Sequence, residues 1–410
     1  MKKLLLVLLI LSLFINHLNA NEKDLNIIQK DKKEYRLLDK ESIQTRQQSQ
    51  KYDWISPIDL SGNIGRNHSF SDENSRNLNN KNTKSASIEF TQSIFESGGI
   101  GFKMDYADNR FKYEMLSWEN QNSQLIYTIY NTLLDIKKLN LEIKQNDYRI
   151  VNKDIELIIK KIQYDAGKTD IIELNNAIMS KNLILKEEIA LKNSLKEKEQ
   201  ELAKYTDLKY DEIEILDFQE TNKDIFLDKN YSILEADAKV EMLNSEYKIK
   251  KSQYLPKLSL SAKASYSTQD EKFNSMINDT NKDDASSSGS LILSMPLYDY
   301  TKSSKIQESK IEVLKQKALV NDLKNETAFE YEQIFTKIDT YLKQNETINK
   351  NIKLYEELIG ANQISSEAGM TSKYDLEILE NTKTINEFDI LINKINILQQ
   401  YAKLYFKIKN

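Results

Sequence analysis

Few residues of this chain have the types or the spacing that catalysis or metal binding requires. Its 410 residues include no cysteine, which excludes disulfides, thiolate metal sites, thiol catalysis and a lipid-modified N-terminal cysteine. The two histidines are His17 and His68, and His17 lies in a segment that is expected to be removed. A histidine-based triad or a zinc cluster is therefore close to excluded. We expect a protein that is not an enzyme and that holds no cofactor or metal.

The acids that stand out follow a short phrase, Ala-Gly-x-Thr, that occurs once in each half of the chain. Ala166, Gly167 and Thr169 precede Glu173, while Ala368, Gly369 and Thr371 precede Asp375, with Glu377 two residues further on. Each glycine is expected to end one helix, and each threonine to cap the next. An acid in the first turn of a helix is favoured by the helix dipole. That structural role and a functional charge at Glu173 and Asp375 both stay open.

Two further landmarks recur in the same order, so the chain is predicted to be two copies of one unit. Trp54 and Ile58 match Tyr254 and Leu258 at an offset of 200, and further on the offset is 203. Each unit would contain two strands followed by two long helices. The first copy spans 54–207 and the second 254–410, with a lead-in at 21–53 and a connecting region at 208–253.

The N-terminus has the features of a secretory signal peptide. Lys2 and Lys3 precede an apolar run at 4–15, and the small residue Ala20 offers a cleavage site, so residues 1–20 are expected to be removed. A retained anchor is the alternative. Removal takes away two lysines and no acid, so the net charge of −5 becomes more negative. This acidity argues against nucleic acid as a partner. No later run of 18 apolar residues occurs, so any membrane span would consist of strands.

Alternating segments in each copy have the length and pattern of membrane strands. In the pair at 254–298, Leu258, Leu260 and Ala262 alternate with Ser259 and Ser261, and the pair at 54–97 is similar. Such alternation over about 9–11 residues is typical of outer-membrane barrels, although a sheet with one face on a soluble core remains the alternative. Polar segments at 67–84, which contains His68, and at 268–287 are expected to be loops.

Long helices follow each strand pair. The hairpin at 98–207 turns near 166–170, and the hairpin at 299–408 turns near 368–372. Ile129, Ile136 and Ile143 recur at a spacing of seven, which predicts a coiled-coil seam. Four strands cannot close a barrel, because known barrels start at about eight strands. If the strands are transmembrane, the chain must therefore assemble with copies of itself, two copies giving eight strands and three giving twelve.

This arrangement resembles the TolC family of outer-membrane efflux channels. The signal peptide, the duplicated units and the two hairpin tips match, as do the phrases Tyr254-Leu255-Pro256-Lys257-Leu258 and Asp299-Tyr300. The resemblance implies a fold that is mainly α with membrane β: a homotrimer with a twelve-strand β-barrel continued by a twelve-helix coiled-coil tube. Residues 21–53 and 208–253 would then form an equatorial region. The protein would reside in the cell outer membrane, in contact with its lipid, and extend into the periplasm.

The resemblance also implies a function and its site. The chain would be the exit duct of a tripartite efflux pump or a type I secretion system. It would receive substrates from an inner-membrane pump of the RND, ABC or MFS type through a periplasmic adaptor, a membrane fusion protein. Ala166, Gly167, Thr169, Ala368, Gly369 and Thr371 would dock the adaptor, and Asp375, Glu173 and Glu377 would line the periplasmic aperture.

The sequence departs from the family at the aperture. Ile378 replaces a second acid, and Ser366 and Thr371 replace the tyrosine and arginine that tie the closed state. The exported substrate cannot be read from the sequence. A periplasmic coiled-coil adaptor or structural cell-envelope protein is the alternative function, and a secreted hydrolase is disfavoured because the acids are scattered along helix faces.

Overall fold

The computed structural model describes residues 25–69, 79–270, 282–367 and 372–409. The predicted signal peptide at 1–20 lies outside these residues, as do Ala368, Gly369 and Thr371 of the second tip. The chain divides into two compact units. The sheet unit comprises Glu41–Met115 and Ala236–Val320, and the helical unit comprises Met1–Lys40, Leu116–Glu235 and Asn321–Asn410.

The sheet unit contains one antiparallel sheet of four strands in the order β1-β2-β3-β4. The strands are β1 (Ile58–Ser69), β2 (Asn79–Phe95), β3 (Lys257–Asp270) and β4 (Lys282–Ser294). The two offsets found in the sequence are reproduced by the strand register. Ile58 pairs with Phe90, and Leu258 pairs with Leu293. The duplication of the strand pair is therefore confirmed.

Alternation along the strands gives the sheet one apolar and one polar face. The apolar face carries Ile58, Leu60 and Ile64 of β1, Ile88 and Phe90 of β2, Leu258, Leu260 and Tyr266 of β3, and Leu291 and Leu293 of β4. On the polar face, Ser61, Ser87, Ser265 and Ser286 form one row across all four strands. Hydroxyl pairs join Ser61 to Ser87 and Ser265 to Ser286, each with 2.8 Å between the oxygens.

The strands extend further into the polar segments than the sequence analysis expected. His68 lies in β1, where it pairs with Asn80, and is not a loop residue. In the second copy, residues 268–270 of the predicted loop belong to β3, and residues 282–287, which include Ser286 and Ser287, belong to β4. They lack the apolar alternation that marks a strand in sequence, and backbone pairing with β3 is what makes them one.

Seven helices are described in these residues, together with a short 3₁₀ helix at Leu25–Ile27. They are α1 (Lys30–Tyr52), α2 (Gly99–Asp165), α3 (Ile171–Leu202), α4 (Lys223–Asp228), α5 (Tyr231–Ser252), α6 (Lys302–Glu367) and α7 (Lys373–Tyr405). At about 1.5 Å per residue, the 67 residues of α2 extend about 100 Å. In the described part of the chain, no helix combines the length and apolar character needed to cross a membrane.

The helical unit is held by coiled-coil seams and by a hydrophobic cluster near the C-terminal residues. Ile129, Leu133 and Ile136 of α2 are fully buried, as the spacing of seven predicts. A second cluster joins α4, α6 and the C-terminal residues around Phe226, Tyr331, Ile334, Ile338, Leu404 and Ile408. Further along α6, the seam residues Ile348, Ile352 and Ile359 are only half-buried. Packing in this unit is therefore tightest well away from the hairpin tips.

A buried arginine makes the most extensive set of hydrogen bonds between helix α1 and the rest of the helical unit. Arg36 donates hydrogen bonds to Asn122 Oδ1 at 2.6 Å, Gln121 Oε1 at 2.8 Å and the carbonyl of Trp118 at 2.9 Å. Trp118 returns a bond from its indole Nε1 to the carbonyl of Arg36 at 2.8 Å. Burial lowers the pKa of Arg36, an effect that Asp39 partly opposes. The lead-in is thus an ordered helix whose contacts come from residues far along the chain.

Candidate functional site: the tips of the helical hairpins

Helix α2 ends at the first tip in a Schellman motif. Gly167 has a φ of 69°, and its N–H donates to the carbonyl of Tyr164 at 2.9 Å. The N–H of Lys168 donates to the carbonyl of Gln163 at 2.8 Å. This pair of bonds satisfies the last carbonyls of the helix and requires a left-handed residue, which glycine adopts without strain. The prediction that Gly167 stops the helix is confirmed.

The caps of the return helices lie one residue later than the sequence analysis expected. Asp170, not Thr169, caps α3, and its Oδ1 accepts a bond from the N–H of Glu173 at 2.9 Å. Ser372, not Thr371, caps α7, and its Oγ accepts from the N–H of Tyr374 at 3.2 Å. Adjacent capping types compete at each start, and the backbone geometry selects the second of them. Thr371 itself lies outside the described residues.

The two tips differ in how their acids are paired. In the first tip, Glu173 Oε2 lies 3.0 Å from Lys160 Nζ of α2. In the second, Asp375 and Glu377 are exposed in the first turns of α7, and no described residue forms an ion pair with them. Ile378 is half-buried, so it does not present a third polar group there. Asp375 and Glu377 are therefore exposed carboxylates with no ionic partner among the described residues.

The first tip also exposes apolar side chains. Ile162, Ile171 and Ile172 are each more than half exposed beside the glycine turn. Ala166 and Gly167 are exposed too, and Thr169 is half-buried. The tip is thus an accessible surface with an apolar component and a fixed backbone shape.

Behind the tips, polar side chains link the first hairpin to the second. Gln145 of α2 donates to Asp389 Oδ1 of α7 at 2.6 Å. About two helical turns closer to the tip, Asn152 Oδ1 of α2 accepts a hydrogen bond from Asn381 at 2.9 Å. Asn152 Nδ2 donates to Thr382 Oγ1 at 3.3 Å. The sequence analysis missed these links because it followed apolar residues alone. The sequence feature that could have revealed these links is the spacing of seven residues between Gln145 and Asn152, which puts both side chains on one face of α2.

The base of the second hairpin carries a charge cluster. Glu330 of α6 lies 2.8 Å from Lys403 Nζ and 2.6 Å from Lys407 Nζ. Burial acts to raise the pKa of Glu330, but the hydrogen bonds and charges of the two lysines outweigh it, so the pKa is held below its ordinary value. Elsewhere in the described residues, no group of three or more His, Cys, Asp or Glu side chains could hold a metal ion.

Comparison with known proteins identifies the architecture. Residues 224–403 match the family described as outer membrane efflux protein. No curated protein matches the chain by sequence. Among solved structures, the outer membrane protein VceC from Vibrio cholerae has 12% identity and a TM-score of 0.73, with 94% of this chain and 93% of that chain covered. The CmeC outer membrane channel of Campylobacter jejuni has 12% identity and a TM-score of 0.70, covering 93% and 86%. The open-state MtrE outer membrane channel of Neisseria gonorrhoeae has 11% identity and a TM-score of 0.64, covering 91% and 85%.

These likenesses extend over nearly the whole chain, including both copies of the duplicated unit. The family that residues 224–403 match and the solved structures that share this fold are those of channel proteins. The predicted fold class is confirmed for the duplicated strand–strand–helix–helix unit. The predicted resemblance to the TolC family is likewise confirmed, by the match of residues 224–403 to the outer membrane efflux protein family and by the fold shared with the solved channels.

Proposed function

We propose that the protein is the exit duct of an efflux system, located in the outer membrane and extending into the periplasm. Three copies would each supply four strands to a twelve-strand barrel and four long helices, α2, α3, α6 and α7, to a twelve-helix tube. The observation that carries this proposal is the four-stranded sheet. It has an apolar face, a polar face and two edges, β1 and β4, that no described strand pairs.

The apolar face suits contact with lipid. From Leu258 to Tyr266, β3 presents five consecutive apolar residues to that face, over about 27 Å at 3.4 Å per residue. The apolar band of outer-membrane barrels is about 25 Å tall. Leu60 and Leu293 are 76% and 72% exposed, so no soluble core covers them within the chain. An open edge in lipid would leave backbone groups unpaired at a cost of several kcal/mol each, which favours closure with further copies.

The polar face suits a water-filled passage. Its rows of serine and threonine carry both donors and acceptors, and its charged row pairs Lys263 with Glu89 at 3.1 Å. A channel of this kind does no chemistry. It lowers the barrier to solute passage, while a partner pump supplies the energy.

The hairpin tips suit docking of a periplasmic adaptor. The first tip around Ala166 and Gly167 exposes Ile162, Ile171 and Ile172, which an amphipathic helix of an adaptor would bury. The second tip, with Ala368, Gly369 and Thr371, would take the equivalent role. The adaptor, a membrane fusion protein, would connect the duct to an inner-membrane pump of the RND, ABC or MFS type, or to a type I secretion system.

Asp375 and Glu377 would set the charge preference of the periplasmic aperture. Both are exposed carboxylates without a described ionic partner, and three copies would bring six of them around one opening. Glu173 is a weaker candidate, because Lys160 neutralises it. The single-channel current of the purified protein in planar bilayers tests this assignment. Asp375→Asn should reduce the preference for cations, while Glu173→Gln should change it less.

Two results would count against the proposal. Unchanged ion selectivity in Asp375→Asn would remove the aperture role of that residue. A protein that remains a monomer in water without detergent would remove the channel itself. Deleting 166–170 should abolish export in cells while the trimer still forms in the outer membrane, and retained export would argue against adaptor docking at this tip.

A further inference from the structure

The apolar face of the sheet ends at nearly the same level on all four strands. Its last apolar side chains are Ile64 on β1, Ala86 on β2, Tyr266 on β3 and Ala285 on β4. This is the end of the sheet away from the helices, because α1 leads into β1, and α2 leaves β2, at the opposite end. If the helices extend into the periplasm, as proposed, this end lies at the outer leaflet of the membrane.

Two cations lie directly beyond this level, on the same face and on neighbouring strands. Lys84 pairs with Ile64, and Arg66 pairs with Asn82 in the next pair on that face. The two cations are therefore diagonal neighbours, with about 7–8 Å between their Cα atoms. Arg66 is exposed, and no described residue forms an ion pair with it. The alternation that places apolar residues on this face of β1 and β2 thus continues into a basic pair.

The acids of these two levels lie on the other half of the sheet. Asp270 of β3 is opposite Asn82, and Asp283 of β4 is opposite Thr268. Neither acid belongs to a strand that carries the basic pair. The charges at this end of the face are therefore divided into a basic half on β1 and β2 and an acidic half on β3 and β4, and an anion in the membrane would be attracted to the basic half.

The two ends of the apolar face differ in charge. At the end near the helices, Phe95 pairs with Leu258, and Leu258 pairs with Leu293, so no charged side chain lies at that level. At the other end, the apolar side chains of β1 and β2 are followed by cations. Cations at a membrane surface are attracted to anionic headgroups. The difference between the two ends therefore favours a strongly anionic leaflet at the outer end.

A depression in the apolar face lies next to the basic pair. It has a volume of about 440 Å³ and is lined on this face by Leu60, Ala86, Ile88, Ala264, Tyr266 and Ala285. The alanines leave room between the larger side chains, and a hydrocarbon chain that filled this room would cover apolar surface. Ala86 is two residues from Lys84 on the same face of β2. A hydrocarbon chain in the depression can therefore have its polar end at the basic pair.

We propose that Arg66 and Lys84 bind a phosphate group of a lipid headgroup in the outer leaflet, while an acyl chain of that lipid lies in the depression. This inference rests on the proposed function and names the lipid chemistry that the sheet recognises. A guanidinium can bind two phosphate oxygens at once, and a lysine adds a point charge. The apolar stems of both side chains can lie on the sheet while their charged groups reach the headgroups. Tyr266 is 49% exposed at the last apolar level, where a phenol ring suits the membrane interface.

Lipid binding to the detergent-purified protein tests the site. Lipid A, a phosphorylated glycolipid with several acyl chains, and its enzymatically dephosphorylated form are titrated separately, and native mass spectrometry counts the bound molecules. The wild-type protein should bind the phosphorylated form more tightly. Arg66→Gln and Lys84→Gln should each weaken that binding about fivefold, and the double variant about 25-fold, because each cation near an anionic surface contributes a similar free energy. Affinity for the dephosphorylated form should change little.

Two controls make the result specific. Lys263→Gln removes a cation from the polar face, where Lys263 pairs with Glu89 at 3.1 Å, and should leave the affinity for lipid A unchanged. Inorganic phosphate at millimolar concentration should not displace lipid A, because it has no acyl chain to fill the depression. Displacement would indicate a site for free phosphate and overturn the lipid assignment. Unchanged single-channel conductance of the Arg66→Gln and Lys84→Gln variants would show that they still fold.

The outcomes separate this inference from the proposed function. Variants that conduct and that bind both forms of the lipid as the wild type does would overturn the headgroup site and leave the exit duct intact. A loss of affinity in Lys263→Gln equal to that in Arg66→Gln would show a general effect of charge and would also overturn the site. A wild-type protein that forms no channel in planar bilayers would overturn the proposed function, and the membrane site with it.

Discussion

Replacing Arg36 with alanine should release helix α1 from the helical unit. The substitution removes the donors that satisfy Asn122 Oδ1 and the carbonyl of Trp118, and Asn122 is only 1% exposed. A buried acceptor left without a partner costs about 1–3 kcal/mol. The wild-type protein bears a cost for burying the charged guanidinium, which is why burial lowers the pKa of Arg36. The alanine variant no longer has that cost, and this offsets part of the loss. We expect a net loss of about 2–3 kcal/mol, or roughly 30–150-fold in the equilibrium for local opening.

Hydrogen exchange of the α1 amides measures this local opening directly. Amides of α1 in Arg36→Ala should exchange faster by the same factor, while those in the seam around Ile129 should change little. Arg46→Ala is the matched control, because Arg46 lies at the surface, in an ion pair with Glu114 at 3.0 Å. Exposed pairs of this kind contribute about 0–1 kcal/mol.

A double variant tests the physical reason for the effect. Asn122→Leu added to Arg36→Ala removes the orphaned side-chain amide and should restore part of the protection, because an apolar side chain of similar size needs no partner. Two results would contradict this reasoning. The double variant could exchange as fast as Arg36→Ala, or Arg36→Ala could exchange no faster than Arg46→Ala. Either result would show that the loss of hydrogen bonds to buried acceptors is not what loosens α1.

Three further predictions concern the helical unit. Asp170→Ala should destabilise the first tip by about 1 kcal/mol, whereas Thr169→Ala should cost far less, because Asp170 is the cap. Hydrogen exchange of the amides at the start of α3 measures both effects, and equal effects would contradict the assigned cap. Glu330→Gln should lower the free energy of unfolding at neutral pH, because the ionised carboxylate with a lowered pKa stabilises the fold. Protonation removes that stabilising effect, so the difference from wild type should shrink as the pH falls below about 4.3. A constant difference in denaturant titrations across that range would refute this role. Replacing both Asn345 and Asn393 with leucine should raise the melting temperature but allow the α6–α7 hairpin to shift register, because their 2.9 Å hydrogen bond is a polar contact among apolar seam residues. Distances between spin labels on the two helices would detect the shift, and unchanged distances would show that register is set elsewhere.

The periodic parts of this fold could be predicted from the sequence because their signals are local. Alternation from Leu258 to Tyr266 and the spacing of seven from Ile129 to Ile136 follow directly from strand and helix geometry. The offsets of the repeated phrases agree with the observed register to the residue. The position of Asp375 close to the second tip could be predicted for the same reason, and the structure has it in the first turn of α7.

The remainder depended on contacts between distant residues. Helix α1 has a weak pattern of its own, and its anchor Arg36 bonds to residues more than 80 positions away. The serines of β4 look like a loop until β3 is placed beside them. At the first tip, Thr169 and Asp170 are both residues that can cap a helix, and only the structure shows that the extended Asp170 is the cap of α3.

The row of four serines across the sheet has a consequence for which solutes a duct of this kind would let through. Hydroxyl groups give and receive hydrogen bonds alike, so a wall of them favours neither sign of ion and exchanges bonds with a passing solute at little net cost. A duct lined in this way would select among solutes at that level by their size alone. Preference for one charge over another would then arise at the second hairpin tip, where Asp375 and Glu377 have no described ionic partner.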